Sequence, residues 1–188
     1  MSRREPPVDL VDLILQAHEA LEHGGLPHAF GGALALAWCT REPRATADID
    51  LNIFMPTAEY EQVLATLPAD IEVSEQSRTQ LETVGQARLW WYGVPLDIFL
   101  TSDPFHSDVA TRIVTREFAD RSVPFLSCRD LAVFKAFFDR GKDWQDINEM
   151  VKAGSVGVRD LADELAGLLG KGDHRVAQVQ KLRDGPEQ

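Results

Sequence analysis

Three aspartates carry the chemistry that this sequence offers. Asp48 and Asp50 stand two residues apart in the stretch 46–54, TADIDLNIF. Its alternation of polar and apolar residues is that of a half-buried strand. Both carboxylates then leave one face, with Thr46 beside them, while Ile49, Leu51 and Ile53 leave the other toward a core. Aspartate is disfavoured in strands, so two at alternate positions call for a reason. The bland one is a solvent-facing strand with surface acids. The chemical one is a divalent cation that relieves their mutual repulsion, and a donor set of oxygens alone suits magnesium.

Asp97 is a lone carboxylate in the apolar stretch 94–100, VPLDIFL. On a strand paired beside Asp48 and Asp50 it would supply a third ligand on the same face; alone it would be a surface residue of an edge strand. Gly31-Gly32 lies between a short predicted strand at 27–30 and ALALAW at 33–38. Glycine lets backbone approach a ligand, and a following helix N-terminus offers free N–H groups to a phosphate. The pair matches neither GxxxxGK[ST] nor GxGxxG.

The elements that must position these residues follow from periodicity and punctuation. Val8 to His23 has helical spacing and stops at Gly24-Gly25. Residues 27–30 read as a short strand and 33–38 as a helix. After the strand at 46–54, Thr57 is a plausible N-cap for a helix to Leu67, and 71–74 is a possible strand. Residues 86–92 and 94–100 flank Gly93 as a hairpin. A short helix over 107–112 and an extended segment over 113–126 follow. Ser127 and Asp130 form a variant capping box for a helix to about Arg140. Gly141 interrupts it, and 143–151 continues as helix with Asp143 as a plausible cap. A last amphipathic helix covers 159–169, and the tail from Gly170 is polar and expected to be loose at its end. The predicted fold class is α+β: a small mixed β-sheet core with flanking helices and a helical C-terminal segment. The predicted division is 1–126 for the core and 127–188 for the helical segment packed on it.

Taken together, Gly31-Gly32, a helix, Asp48-x-Asp50 on a strand and Asp97 on a later strand resemble the polymerase-β-like nucleotidyltransferase superfamily. The context Arg44-x-Thr46-x-Asp48-x-Asp50 is similar to the branch of AbiEii-type toxins and antibiotic nucleotidyltransferases, as is 130–146, DLAVFKAFFDRGKDWQD. The resemblance spans about 27–151. Two features depart from the usual pattern: the spacer 33–47 is 15 residues, a little long, and Gly32 stands where many members have serine.

The resemblance implies transfer of a nucleoside monophosphate from an NTP to an acceptor hydroxyl of a small molecule, a protein or an RNA. Asp48, Asp50 and Asp97 would be both catalytic and metal-binding, holding two magnesium ions. Gly31, Gly32, Arg44, Thr46 and Lys135 would be nucleotide-binding. For Lys135, among Phe134, Phe137 and Phe138, snorkelling to water is the competing reading. Lys142, Asp143 and Asp146 read as ordinary helix-start chemistry, and Trp90, Trp91 and Tyr92 as packing unless one stacks a base. The resemblance also suggests a toxin with an antitoxin partner. The alternative is an inactive NTP- or metal-binding module of the same fold that acts through a protein partner.

Composition bounds these readings. The 188 residues include 44% hydrophobic and 26% charged side chains, enough for one globular core. The net charge of −11 disfavours nucleic acid and anionic membranes and suits a cationic acceptor. Cys39 and Cys128 are far apart and form no CxxC pair, so zinc is not expected and both read as unpaired, buried thiols of a reducing cytosol. His18, His23, His28, His106 and His174 show no metal spacing. Residues 1–7 lack an apolar signal core and no stretch approaches a membrane span, so the expected setting is cytoplasmic.

Overall fold

A computed structural model describes residues 9–182 of the chain. Val8, where the predicted first helix opens, and the last six residues of the tail lie outside them. The chain folds as two compact units: 9–30 with Thr46–Phe125, and Gly31–Ala45 with 126–182.

The first unit is built on a seven-stranded mixed sheet whose strands β1 (His28–Phe30), β2 (Ile49–Pro56), β3 (Ile71–Glu72), β4 (Gln86–Trp91), β5 (Val94–Thr101), β6 (Val114–Phe118) and β7 (Arg121–Phe125) lie in the order β3-β4-β5-β2-β1-β7-β6. Helix α1 (Leu10–His23) is capped by Asp9, whose side chain accepts from the Val11 N–H, and closes at Gly24 and Gly25, the latter at φ 66°. Strand β1 (His28–Phe30) pairs antiparallel with β2 (Ile49–Pro56). Strand β5 (Val94–Thr101) lies on the other side of β2, parallel to it. Strand β4 (Gln86–Trp91) joins β5 through Tyr92 (φ 49°) and Gly93 (φ 80°), a pair of positive φ angles that matches the twist of a two-residue hairpin. The core face carries Ile49, Leu51 and Ile53 from β2, Leu96, Ile98 and Leu100 from β5, and Leu89 and Trp91 from β4, all buried.

Several local readings are corrected. The Asp48 strand begins at Ile49, so Thr46 to Asp48 is irregular chain just before it. Thr57 caps nothing: it opens a 3-10 turn (Thr57–Glu59) that leads into α3 (Tyr60–Thr66) without a side-chain cap. The edge strand β3 is only Ile71–Glu72. Helix α4 (Glu75–Val84) escapes a search for apolar periodicity because only Ser77 and Leu81 of its residues are buried. It is started by the Ser74 cap and tied to β4 by Ser77 Oγ donating to the Arg88 carbonyl at 3.1 Å. The short helix after the hairpin, α5 (Pro104–Val109), starts earlier than predicted because Asp103 caps it and Pro104 suits its first turn. The extended segment 113–126 is a second hairpin, β6 (Val114–Phe118) and β7 (Arg121–Phe125), turned at Ala119 and Asp120 with φ 47° and 61°.

The second unit is helical. Helix α2 (Gly32–Thr40) packs with α6 (Cys128–Phe138) and α7 (Gly141–Lys152), and α8 (Val158–Leu169) packs with α9 (His174–Val179). The polar tail therefore contains a helix, begun by Asp173 accepting from the Arg175 N–H. Cys39 and Cys128 are joined as a disulfide, with Cα atoms 5.5 Å apart. This overturns the reading of two unpaired thiols, because the fold brings together residues separated by 89 positions.

Candidate active site

On the face of the sheet opposite the core, β2 presents Asp50 and Asn52, β5 presents Asp97 and Phe99, and β4 presents Gln86, Arg88 and Trp90. Asp50 and Asp97 are direct partners in the parallel pairing. Opposite residues of paired strands share a face, so their side chains emerge side by side. Asp48 stands two residues before Asp50, just outside the strand. Thr46 Oγ1 donates to Asp48 Oδ1 at 2.8 Å, and the Asp48 N–H returns to Thr46 Oγ1 at 3.3 Å. This local turn aims the Asp48 carboxylate from irregular backbone.

A residue that sequence reasoning passed over dominates the electrostatics here. Arg88 is the cross-strand partner of Asp97. Its Nε donates to Asp97 Oδ1 at 2.7 Å and its Nη2 to Asp97 Oδ2 at 2.6 Å, a two-pronged match of guanidinium to carboxylate. The same Nη2 lies 4.0 Å from Asp48 Oδ2. The hydrogen bonds to Asp97 hold the Arg88 pKa above its ordinary value, and the charges of Asp97, Asp48 and Asp50 add to the effect. The pairing has a sequence signal: Arg88 and Asp97 are equidistant from the two-residue turn at Tyr92-Gly93, so a tight hairpin puts them opposite.

Among the described residues, no group of three His, Cys, Asp or Glu side chains converges as a preformed metal cluster. Asp97 offers both oxygens to Arg88, and Asp48 turns one oxygen to Thr46. The donor set itself, carboxylate oxygens on neighbouring backbone positions of one face, fits a hard cation such as magnesium.

The other expected nucleotide contacts belong to the second unit. Gly31 precedes α2 as its N-cap, its carbonyl accepting from the Ala35 N–H at 3.1 Å, and Gly32 opens the helix at φ 52°. That left-handed angle is one that glycine adopts without a Cβ penalty, which gives position 32 a backbone reason for being glycine.

Arg44 and Lys135 are both engaged by acids. Arg44 Nη1 lies 3.2 Å from Asp146 Oδ1, and its Nη2 donates to Glu149. Lys135 Nζ donates to Asp146 Oδ2 at 2.6 Å and stands 3.6 Å from Asp143 Oδ1. Lys135 is buried rather than snorkelling, and Asp146 bridges it to Arg44. Asp143 is not a helix cap: its side chain is 1% exposed and receives Arg140 Nε at 2.5 Å. Burial alone would raise the Asp143 carboxyl, yet the Arg140 hydrogen bond and the Lys135 and Arg140 charges hold it below the usual carboxylate range. Of the aromatic trio, Trp91 is core, while Trp90 and Tyr92 are exposed, Trp90 on the same face of β4 as Arg88.

Comparison with known proteins reinforces the fold. No protein-family model matches the chain, and no curated protein matches it. Solved structures do. The crystal structure of ANT(2")-Ia in complex with adenylyl-2"-tobramycin matches with a TM-score of 0.59 at 17% identity, covering 84% of this chain and 95% of that one. The solution structure of the antibiotic-resistance factor ANT(2'')-Ia matches with a TM-score of 0.56 at 15% identity, covering 84% and 90%. The lincomycin-bound lincosamide antibiotic adenylyltransferase LnuA matches with a TM-score of 0.52 at 17% identity, covering 74% and 94%. The chain has the fold of these nucleotidyltransferases.

Proposed function

We propose that this chain is a metal-dependent nucleotidyltransferase that moves a nucleoside monophosphate from an NTP to an acceptor hydroxyl. The observation that carries this reading is the carboxylate group of the first unit: Asp50 directly opposite Asp97 on parallel strands, with Asp48 two residues before Asp50. Similarity of fold to adenylyltransferases adds to it, as association and not as mechanism.

In this reading Asp48 and Asp50 would hold two magnesium ions, and Asp97 would join them on the acceptor side. Magnesium bound there would neutralise the triphosphate and acidify the acceptor hydroxyl. The acceptor oxygen forms a bond to the α-phosphorus, the bond from that phosphorus to the bridging oxygen breaks, and pyrophosphate leaves. Once released from Arg88, an Asp97 oxygen would receive the acceptor's proton. Thr46 contributes by holding the Asp48 carboxylate in position. By the resemblance, the Gly31 and Gly32 backbone would bind phosphate oxygens. Arg44 and Lys135 are further candidates, and each would have to exchange a carboxylate partner for a phosphate.

A small cationic molecule or a basic protein is the acceptor class favoured by the net charge of −11, which opposes RNA. The compounds named with the similar structures, tobramycin and lincomycin, are of the smaller size class. A toxin role with an antitoxin partner rests on the resemblance alone. No helix among the described residues is long and apolar enough to cross a membrane. The Cys39–Cys128 bond removes the thiol argument for a reducing cytosol, so a cytoplasmic setting rests on the supply of NTP and magnesium. One observation favours the second reading, a binding module without transfer: both Asp97 oxygens are taken by Arg88.

Calorimetric titration of magnesium with a non-hydrolysable NTP, into the wild type and Asp48→Asn/Asp50→Asn, tests the proposal. Metal-dependent binding that the double variant loses supports it. A folded wild type that binds neither metal nor nucleotide overturns it. An acceptor screen with labelled NTP then separates transfer from binding alone.

A further inference from the structure

The pairing of Arg88 with Asp97 is too complete to be surface decoration. Five features bear on it. Arg88 is fixed opposite Asp97 by the strand register. Both carboxylate oxygens are used, at 2.7 and 2.6 Å. The Nη2 that donates to Asp97 also lies 4.0 Å from Asp48 Oδ2. Asp97 is the more buried partner, its side chain 19% exposed against 50% for Arg88, so the arginine has room to leave and the aspartate does not. Ser77 Oγ bonds the Arg88 carbonyl at 3.1 Å, which anchors the backbone while leaving the side chain free to swing.

We propose that Arg88 is a built-in counter-cation of the acidic site, a guanidinium latch that neutralises Asp97 in the metal-free protein and that a divalent cation must displace. The inference rests on the nucleotidyltransferase reading of the aspartates and adds to it a residue that sets metal affinity. Two carboxylates in direct cross-strand register repel each other, and a positive group beside them relieves the repulsion. Arg88 supplies it from a neighbouring strand. Loading a cation on Asp97 breaks two charge-assisted hydrogen bonds and returns the guanidinium to water, so metal binding carries that cost. Asp97 can act as a ligand or a proton acceptor only in the displaced state. Transfer is thereby coupled to cation arrival: without metal, Asp97 is held by the arginine.

The test uses the full chain and Mn²⁺ alone, without nucleotide, read by calorimetry. Arg88→Gln keeps a hydrogen-bonding side chain and removes the charge; it is expected to bind Mn²⁺ tenfold or more tightly than the wild type, on the order set by losing a two-pronged charged pair. Arg88→Lys, with a charge and no fork, is expected to lie between them. In the wild type, the ¹⁵Nε resonance of Arg88 is expected to move on Mg²⁺ titration with the same midpoint as metal binding. A folded Arg88→Gln protein with equal or weaker affinity, or an Arg88 resonance that ignores bound metal, overturns the latch and leaves the nucleotidyltransferase reading standing. If neither protein binds Mn²⁺, both fall together.

Discussion

Asp50 on β2 and Asp97 on β5 face each other in an in-register parallel pair, so two acids distant in sequence emerge side by side from one face of the sheet. They are expected to be unequal in function. Asp50 would serve every bound ion, whereas Asp97 would serve the acceptor side only. Asp50→Asn should abolish both metal-dependent NTP binding and transfer. Asp97→Asn should lower transfer by at least about 10²-fold while leaving nucleotide binding within about an order of magnitude. Paired calorimetry and labelled-NTP turnover read the two effects; equal loss of NTP binding in both variants would contradict this division of labour.

Lys135 is a buried ammonium between Asp146, about as enclosed as the lysine, and Asp143, which is more so. Removing one member of such a group leaves the others charged and unpaired. Lys135→Met is expected to destabilise the chain by about 3–5 kcal/mol, and Asp146→Asn by less, because Asp143 still faces the lysine. Urea unfolding measures both. A Lys135→Met protein as stable as the wild type would assign the lysine to ligand binding and not to the fold.

The Cys39–Cys128 disulfide ties the end of α2 to the start of α6 and closes a loop of 89 positions. Cross-links over loops of this size restrict the unfolded chain strongly, so reduction or Cys39→Ser/Cys128→Ser is expected to cost about 2–4 kcal/mol. Thermal unfolding with and without a reductant should show a lower midpoint when reduced. Identical midpoints, with free thiols detected in the untreated native protein, would show that the bond does not form.

Acid should weaken the first unit through two buried histidines. Burial is the main cause that lowers the pKa of His28; the hydrogen bond to the Leu26 carbonyl and the Glu22 charge act the other way, and His18 lowers it further. His28 Nδ1 meets that carbonyl at 2.9 Å and so must donate, which leaves its Nε2 to accept from His18 Nδ1 at 2.9 Å. His106 is likewise lowered, first by burial. The unfolded chain takes up these protons near the ordinary value of 6.5 and the folded chain only below it. Between the two values the unfolded state binds more protons, so stability falls as pH drops through that window and levels off beneath it. Midpoints from urea titrations across the window should decline with falling pH, and His28→Gln should flatten the slope; an unchanged slope would exclude His28 as the source.

The β6–β7 turn places Ala119 and Asp120 at positive φ, 47° and 61°, without a glycine. Non-glycine residues are disfavoured there, and Asn-Gly is the pair that suits such a turn. Ala119→Asn/Asp120→Gly is expected to stabilise the chain by about 1 kcal/mol, measured as a raised urea midpoint, with no change in nucleotide binding.

Local sequence determined the elements whose pattern is periodic and whose ends are chemically marked. Helix α1 was legible from its apolar spacing and its Gly24-Gly25 stop, and the β4–β5 hairpin from two alternating runs around Gly93, because period and turn chemistry are properties of neighbouring residues. The split of β2 into acidic and apolar faces was legible for the same reason, with Ile49, Leu51 and Ile53 fully buried. Helix α4 was not, since only Ser77 and Leu81 of it are buried, too few to make an apolar period, and Ser77 is tied to Arg88 of another element. Nor was the Cys39–Cys128 bond, which joins residues that only the packing of α2 on α6 brings together. Side-chain partners belong to this second kind. Asp146 between Arg44 and Lys135 depends on which carboxylate each cation reaches in three dimensions, whereas Arg88 opposite Asp97 follows from the tight turn between their strands. Residue type, period and turn are encoded along the chain; register, burial and charge pairing are settled only when distant segments compete for the same neighbours.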